Sequence, residues 1–236
     1  MPTVALFITC LSDQFYPQVG VAVTKVLEKL GCVVEFPKAQ TCCGQPFFNN
    51  GYEKQAMRLL RRMENIFAGF EFIVTPSGSC CAMVREHGGG EIAKKTYEFS
   101  EFLTRILRFD FSTLGLPRPQ SVAYHYTCHL RGLGIGDRSA ATIGRLGNVQ
   151  LVRLERSDQC CGFGGTFAVQ YPAISGSIVE DKVRCVESSG AQTLICDDAG
   201  CAMNISGMCH RKQIPVRVRH TAELLAEAMG LDLSTW

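Results

Sequence analysis

Short apolar runs alternate with longer amphipathic stretches along the whole chain. "TVALFIT" (3–9) is β-prone and uncharged, and reads as a first strand. In "QVGVAVTKVLEKLG" (18–31), Val19, Val23, Val26, Leu27 and Leu30 recur at helical spacing, and Gly31 supplies a stop. "CVVEF" follows as a strand, "EKQAMRLLRRMENIFAG" as an amphipathic helix and "FEFIVTP" as a third strand. "KKTYEFSEFLTRIL" closes the series with a strand and a helix, for which Ser100 is the expected N-cap. From Ser121 the same order returns: "SVAYHYT", a helical stretch, "VQLVRL", "ISGSIVEDKVRCVESSG", "QTLICDD" and "IPVRVRHTAELLAEAMG", with Thr221 as the expected last N-cap. "STLGLPRPQ" (112–120) reads as the linker. Strands alternating with helices predict an α/β fold of two tandem pseudo-repeats, each a βαβ-type parallel sheet flanked by helices, over residues 1–114 and 121–236.

The cysteines repeat with the elements. Cys10 to Cys42 is a step of 32 residues, and so is Cys128 to Cys160. Adding 118 to Cys10, Cys42, Cys43 and Gly44 gives Cys128, Cys160, Cys161 and Gly162. The third strands end in "SGSC" at Cys80 and "DAGC" at Cys201, with 36 residues between Cys43 and Cys80 and 39 between Cys161 and Cys201. In a parallel α/β sheet, ligands gather beyond the carboxyl ends of the strands. Each of these cysteines follows a predicted strand. The expectation is therefore two four-thiolate sites: Cys10, Cys42, Cys43 and Cys80 in one half, and Cys128, Cys160, Cys161 and Cys201 in the other. Gly44 and Gly162 let the backbone turn closely at each site. Helices expected to start just after Cys80 and Cys201 would aim their N-terminal amides at an anionic centre.

Composition narrows the chemistry. The chain has 236 residues, 46% hydrophobic and 19% charged, with a formal net charge of +2. Nothing in that balance calls for nucleic acid or an anionic membrane. No apolar run approaches the roughly 20 residues of a membrane span. The first residues read as a strand rather than a signal peptide, so a soluble, cytoplasmic protein is expected. In such a reducing compartment thirteen cysteines point to metal or redox chemistry rather than disulfides. Structural zinc sites usually use C-x2-4-C knuckles, which these spacings lack. Adjacent cysteines suit a larger object with several metal atoms, and thiolates are the usual ligands of iron–sulfur clusters. Iron–sulfur is favoured here, with zinc and metal-free thiol chemistry as the alternatives.

The two C-x31-CCG…C units, with "TCCGQPFFNNGY", "PSGSCCAM", "YHYTCHLRGLG", "QCCGFGGTFAV" and "DAGCAMNI", resemble the cysteine-rich CCG domain. That domain occurs in heterodisulfide reductase, in the iron–sulfur subunit of glycolate oxidase and in the lactate utilization A family, to which the chain is most similar. The resemblance spans nearly the whole sequence. It implies an iron–sulfur electron-transfer subunit of a complex oxidising L-lactate to pyruvate, not active alone. The implied partners are a ferredoxin-like iron–sulfur subunit and a third small subunit. Heterodisulfide reductase types carry a fifth cysteine per site, where this chain has Ser77 and Asp198. Four thiolates per site favour two [4Fe–4S] clusters.

Ser77, Cys81, His129, Cys196 and Asp198 are candidates for a supporting role around the clusters, by further ligation or by hydrogen bonding to sulfur. His125 and Tyr126, at a strand end, and Arg131 and Arg153 are weaker candidates. Cys32, Cys185 and Cys209 fall outside the repeat and read as ordinary thiols. "GLGIGDRS" (132–139) contains G-x-G but not the full dinucleotide fingerprint, and reads as a glycine-rich loop. Two other functions compete: a heterodisulfide or quinone reductase component whose cluster meets substrate, and a zinc-stabilised scaffold.

Overall fold

The computed structural model describes residues 1–135 and 138–234; Gly136 and Asp137, inside the "GLGIGDRS" stretch, lie outside the described residues. The first half runs β1 (Thr3–Leu6), α1 (Cys10–Phe15), α2 (Pro17–Lys29), β2 (Val33–Glu35), α3 (Gln45–Phe48), α4 (Glu53–Phe67), β3 (Phe72–Thr75), α5 (Gly78–His87), α6 (Gly90–Lys95), β4 (Thr96–Glu98) and α7 (Phe99–Glu101), which continues as a π-turn over Phe102–Ile106. The second half runs β5 (Gly115–His125), α8 (Cys128–Gly132), α9 (Arg138–Ile143), β6 (Gly147–Leu151), α10 (Phe167–Gln170), α11 (Pro172–Ser188), β7 (Thr193–Cys196), α12 (Ala199–Arg211), β8 (Arg217–Arg219) and α13 (Thr221–Ala228).

The strands form two four-stranded sheets, ordered β2-β1-β3-β4 and β6-β5-β7-β8, with every pairing parallel. The second order is the first repeated, so the internal repeat of the sequence is an internal repeat of topology. Strand alternation gives each sheet two buried faces. Val4, Leu6, Val74, Val122, Tyr124 and Ile195 point into one central core. Ala5, Phe7 and Ile73 point the other way, onto α4 and α5, while Ala123 and Leu194 point onto α11 and α12.

The central core belongs to both halves. Val19, Val23, Val26 and Leu27 of α2 share it with Ala222, Leu224 and Leu225 of α13, and Phe99 shares it with Ile143 of α9. Thus α2 packs on α13, and α7 packs on α9. The inner face of each sheet is closed partly by the other half.

Three expectations change. The stretch expected as a linker is the start of β5: Gly115 pairs with Gly147, and the register shifts before Gln120. Pro117 and Pro119, which have no N–H to donate, fall inside that irregular segment. The N-cap of α7 is Glu98 rather than Ser100; its carboxylate accepts from the Ser100 and Glu101 N–H groups at 2.8 and 3.2 Å. The N-cap of α13 is His220 rather than Thr221. The His220 ring accepts from Ala222 N–H, and Glu223 accepts from the His220 N–H at 2.8 Å, closing a capping box. In both places the strand turns into the helix with almost no intervening loop, so the cap falls at the strand end.

Asp197 ties these parts together. It is fully buried. Its carboxylate accepts from Tyr124 Oη on β5 at 3.1 Å, and from the N–H and Oγ1 of Thr221 at the start of α13, both at 2.9 Å. Its backbone carbonyl accepts from Gly78 N–H of the first half at 3.2 Å. Asp197→Ala leaves three buried donors without an acceptor. It is expected to lower the unfolding free energy by about 3 kcal/mol or more, read from urea denaturation. An unchanged midpoint would contradict this account.

Candidate metal centres

In each half the strand ends deliver the thiols. Cys10 and Cys128 are the first residues of α1 and α8, directly after Thr9 and Thr127. Cys42–Cys43 and Cys160–Cys161 lie on the loops leading to α3 and α10. Cys80 and Cys201 sit inside the first turns of α5 and α12. Those helices begin two residues before the cysteines, not after them as expected, because Ser77 and Asp198 act as their N-caps.

Within each adjacent pair the two thiols touch each other, and each has a different outer partner. Cys42 Sγ lies 3.6 Å from Cys10 Sγ, while Cys43 Sγ lies 3.4 Å from Cys80 Sγ. In the second half Cys161 Sγ is 2.9 Å from Cys201 Sγ. Cys160 is hydrogen-bonded to Cys128, which holds the Cys128 thiol above its ordinary pKa. All thirteen cysteines are free thiols. Each set is buried at one end and open at the other: Cys43, Cys80 and Cys161 are buried, whereas Cys10, Cys128 and Cys160 are exposed.

Backbone amides converge on the sulfurs. Gly44 N–H donates to Cys42 Sγ at 3.4 Å, and Gly162 N–H donates to Cys160 Sγ at 3.3 Å. Hydrogen bonds from Cys10 and then Cys43, together with the Gly44 amide, pull the Cys42 pKa down to about 3. The bond to Cys42 pushes Cys10 and Cys43 upward in return. The lowered Cys42 pKa favours its thiolate, the form that binds metal.

The supporting candidates fall in different places. Ser77 and Asp198 occupy equivalent positions in the repeats and touch each other, Ser77 Oγ to Asp198 Oδ2 at 3.1 Å. Ser77 Oγ also accepts from Cys80 N–H, and Asp198 accepts from the Ser79 and Gly200 N–H groups. These two residues thus cap the helices that carry Cys80 and Cys201 and join the two halves. His129 reaches across to the first half, with its Nε2 2.9 Å from Gln45 Nε2 beside the Cys42–Cys43 loop. Asn50 donates to Thr166 Oγ1, a second contact across the halves. Arg131 Nη2 approaches Cys128 Sγ at 3.6 Å. Cys81 is buried, and burial first of all raises its pKa. Cys32 lies in the central core, and Cys185 and Cys209 lie in the outer core of the second half.

Cys196 lies close to Cys201, and so does His125: one ring nitrogen and the two sulfurs lie within 4.8 Å of one another. Burial, then Lys182 and Arg131, pushes the His125 pKa down to about 3, so the imidazole is neutral. Sequence reasoning leaves His125 as an ambiguous strand-end residue. A signal exists in the offset of 118, which places His125 where the first half has Phe7. Gln45 and Asn50 carry no such signal, because their partners are in the other half.

Four thiols per half, a pair split between two partners, and amides aimed at sulfur fit a thiolate-held metal cluster. The model of the CCG cysteine-rich domain matches residues 4–85 and 122–206, once over each half. "Lactate utilization protein A" of Geobacillus kaustophilus (strain HTA426) is 43% identical over 94% of this chain and 98% of its own length. The protein of the same description from Exiguobacterium sp. (strain ATCC BAA-1283 / AT1b) is 41% identical over 97% of this chain and 99% of its own. The chain belongs to the CCG cysteine-rich family, in the group described as lactate utilization protein A. A crystal structure of a hypothetical protein from Helicobacter pylori has the same fold over 98% of this chain and 49% of that one, with a TM-score of 0.66 at 11% identity. Among the described residues no helix is long and apolar enough to cross a membrane.

The glycine after each pair is constrained twice. Gly44 has φ +92°, and a Cβ there would come 2.9 Å from the Ala56 carbonyl oxygen; Gly162 has φ +80°, with the Ser175 carbonyl oxygen 2.8 Å away. Gly31 has φ +85° but open space around it. Gly31→Ala is expected to cost about 1–2 kcal/mol from backbone strain alone. Gly44→Ala and Gly162→Ala should each cost clearly more in urea unfolding, because the α4 and α11 backbones block the methyl group. Equal losses at all three positions would refute the close-approach argument.

Proposed function

We propose that the protein is an iron–sulfur electron-transfer subunit serving the oxidation of L-lactate to pyruvate. One [4Fe–4S] cluster would be held by Cys10, Cys42, Cys43 and Cys80, and the other by Cys128, Cys160, Cys161 and Cys201. The observation that carries this reading is the split of the adjacent pair. Cys42 turns to Cys10 and Cys43 turns to Cys80, so neighbouring residues present sulfurs to different sides of one site. A single zinc ion does not need that divergence, and a multi-iron centre does. The lactate assignment is supported by the description of relatives that match along nearly their full length.

A bound cluster supplies one-electron transfer. The chain's own residues set the conditions. Gly44 and Gly162 donate N–H groups to Cys42 and Cys160, which favours the more reduced, more negative charge state by stabilising charge on sulfur. Buried Cys43, Cys80 and Cys161 keep water from one side of each site. Exposed Cys10, Cys128 and Cys160 leave the other side open to a redox partner. The proposed partners are a ferredoxin-like iron–sulfur subunit and a third small subunit of a lactate-oxidising complex, which together would deliver and remove the electrons.

Anaerobically isolated protein is expected to contain iron and acid-labile sulfide in equal amounts, about four of each per half for [4Fe–4S] centres. Cys42→Ser should lose about half of the iron, while Cys32→Ser, in the central core, should keep it all. A colourless, zinc-containing protein without sulfide would overturn the reading, and equal loss in both variants would overturn the ligand assignment.

A further inference from the structure

The two sites are not chemically equivalent. Strand alternation puts Phe7 on the outer face of the first sheet, in the same cluster as Cys43 and Cys80. Thr75, at the end of β3, has the same parity as Ile73 and shares that face. The matching positions in the second half are His125, 118 residues after Phe7, and Cys196, which is offset from Thr75 by the same 121 residues that separate Cys80 from Cys201. His125 and Cys196 are direct neighbours in the β5–β7 pairing, and both are buried. The second site is therefore floored by an imidazole and a thiol where the first has a phenyl ring and a hydroxyl.

His125 is 0% exposed, and neither of its ring nitrogens has a hydrogen-bond partner of regular geometry. The Ser157 backbone lies near the ring as a loose partner at most; buried polar groups in folded proteins are nearly always fully satisfied, so the ring nitrogens have donor capacity to spare. One of its nitrogens lies within 4.8 Å of Cys196 Sγ and Cys201 Sγ, a separation that one bound metal atom can span. Cys161 Sγ, 2.9 Å from Cys201 Sγ, supplies a further sulfur.

We propose that the second site is a mixed nitrogen–sulfur metal site in which His125 and Cys196 join Cys201 as ligands, whereas the first site is ligated by thiolates alone. The proposal rests on the reading of Cys201 as a metal ligand. Imidazole and thiolate together suit zinc and also iron of a cluster, so the shared chemistry is a transition metal of borderline softness.

The test uses the reduced, metal-free full chain carrying Cys43→Ser and Cys80→Ser, which disables the first set. Zinc alone is added, and its ligand shell is read by X-ray absorption. The expected shell contains sulfur and one imidazole nitrogen. His125→Phe and Cys196→Thr install the residues of the first half, so both are suited to folded surroundings, which circular dichroism checks. His125→Phe should remove the nitrogen and weaken zinc binding by about tenfold or more. Cys196→Thr should weaken binding similarly while keeping the nitrogen. An all-sulfur shell, unchanged affinity in both variants, or no zinc bound by the folded chain would overturn the proposal.

A second arm reconstitutes the wild-type chain anaerobically with iron and sulfide. Nitrogen hyperfine coupling at one cluster, abolished in His125→Phe, assigns the nitrogen to cluster iron. Full iron and sulfide content with no nitrogen coupling, joined to an all-sulfur zinc shell, would sink this inference and leave the proposed function standing. A nitrogen-containing zinc shell in a chain that takes up no sulfide would do the reverse.

Discussion

In a parallel sheet every strand points its carboxyl end toward the same edge, and the chain must cross back through a helix before the next strand can start. The site depends on that constraint. Cys10 is separated from Cys42 by 31 residues, and Cys43 from Cys80 by 36, yet all four reach one place because each follows a strand of a single sheet. The loop at the edge then needs one residue that can turn tightly beneath a crossing helix. Gly44 and Gly162 meet that need where the backbones of α4 and α11 come close. Their amides are left free to face the neighbouring sulfurs.

The two repeats are not beads on a string. Helices α2 and α13 share the central core, as do α7 and α9, so each half covers part of the inner sheet face of the other. The exchange extends to the sites: α1, which starts at Cys10, packs on α12, which carries Cys201, and α8, which starts at Cys128, packs on α5, which carries Cys80. The Ser77–Asp198 hydrogen bond lies between the capping turns of α5 and α12. Each site is therefore positioned partly by the opposite half. Asp197 adds a buried anchor beside that contact, joining β5, the start of α13 and, through its backbone carbonyl, the first half.

Duplication supplies two sheets and two sets of thiols, but it does not oblige the surroundings to stay alike. The outward-facing strand-end positions hold Phe7 and Thr75 in one half and His125 and Cys196 in the other. These positions are buried at the sheet edge, where a change from phenyl to imidazole alters the donor set without disturbing the sheet. The physical sign of that difference is the buried His125 ring, which makes no hydrogen bond of regular geometry and lies beside Cys196 and Cys201.

Much of this was legible in the sequence. Hydrophobic periodicity and the offset of 118 gave two parallel-sheet repeats and six of the candidate thiols, and the ends of the third strands added Cys80 and Cys201, because strand and helix periods and chain-order topology are local properties. Boundaries were less legible. Gly115–Gln120 reads as a linker but pairs in β5, since pairing with Gly147 outweighs the local preference of two prolines. Glu98 and His220 cap helices in place of Ser100 and Thr221, because the cap is fixed by where the strand ends. What only the tertiary structure decided is which groups meet across the repeat. The Ser77–Asp198 contact, the His129–Gln45 contact and the grouping of His125 with Cys196 and Cys201 depend on how sheets and helices pack, and residues far apart in sequence carry no local mark of it.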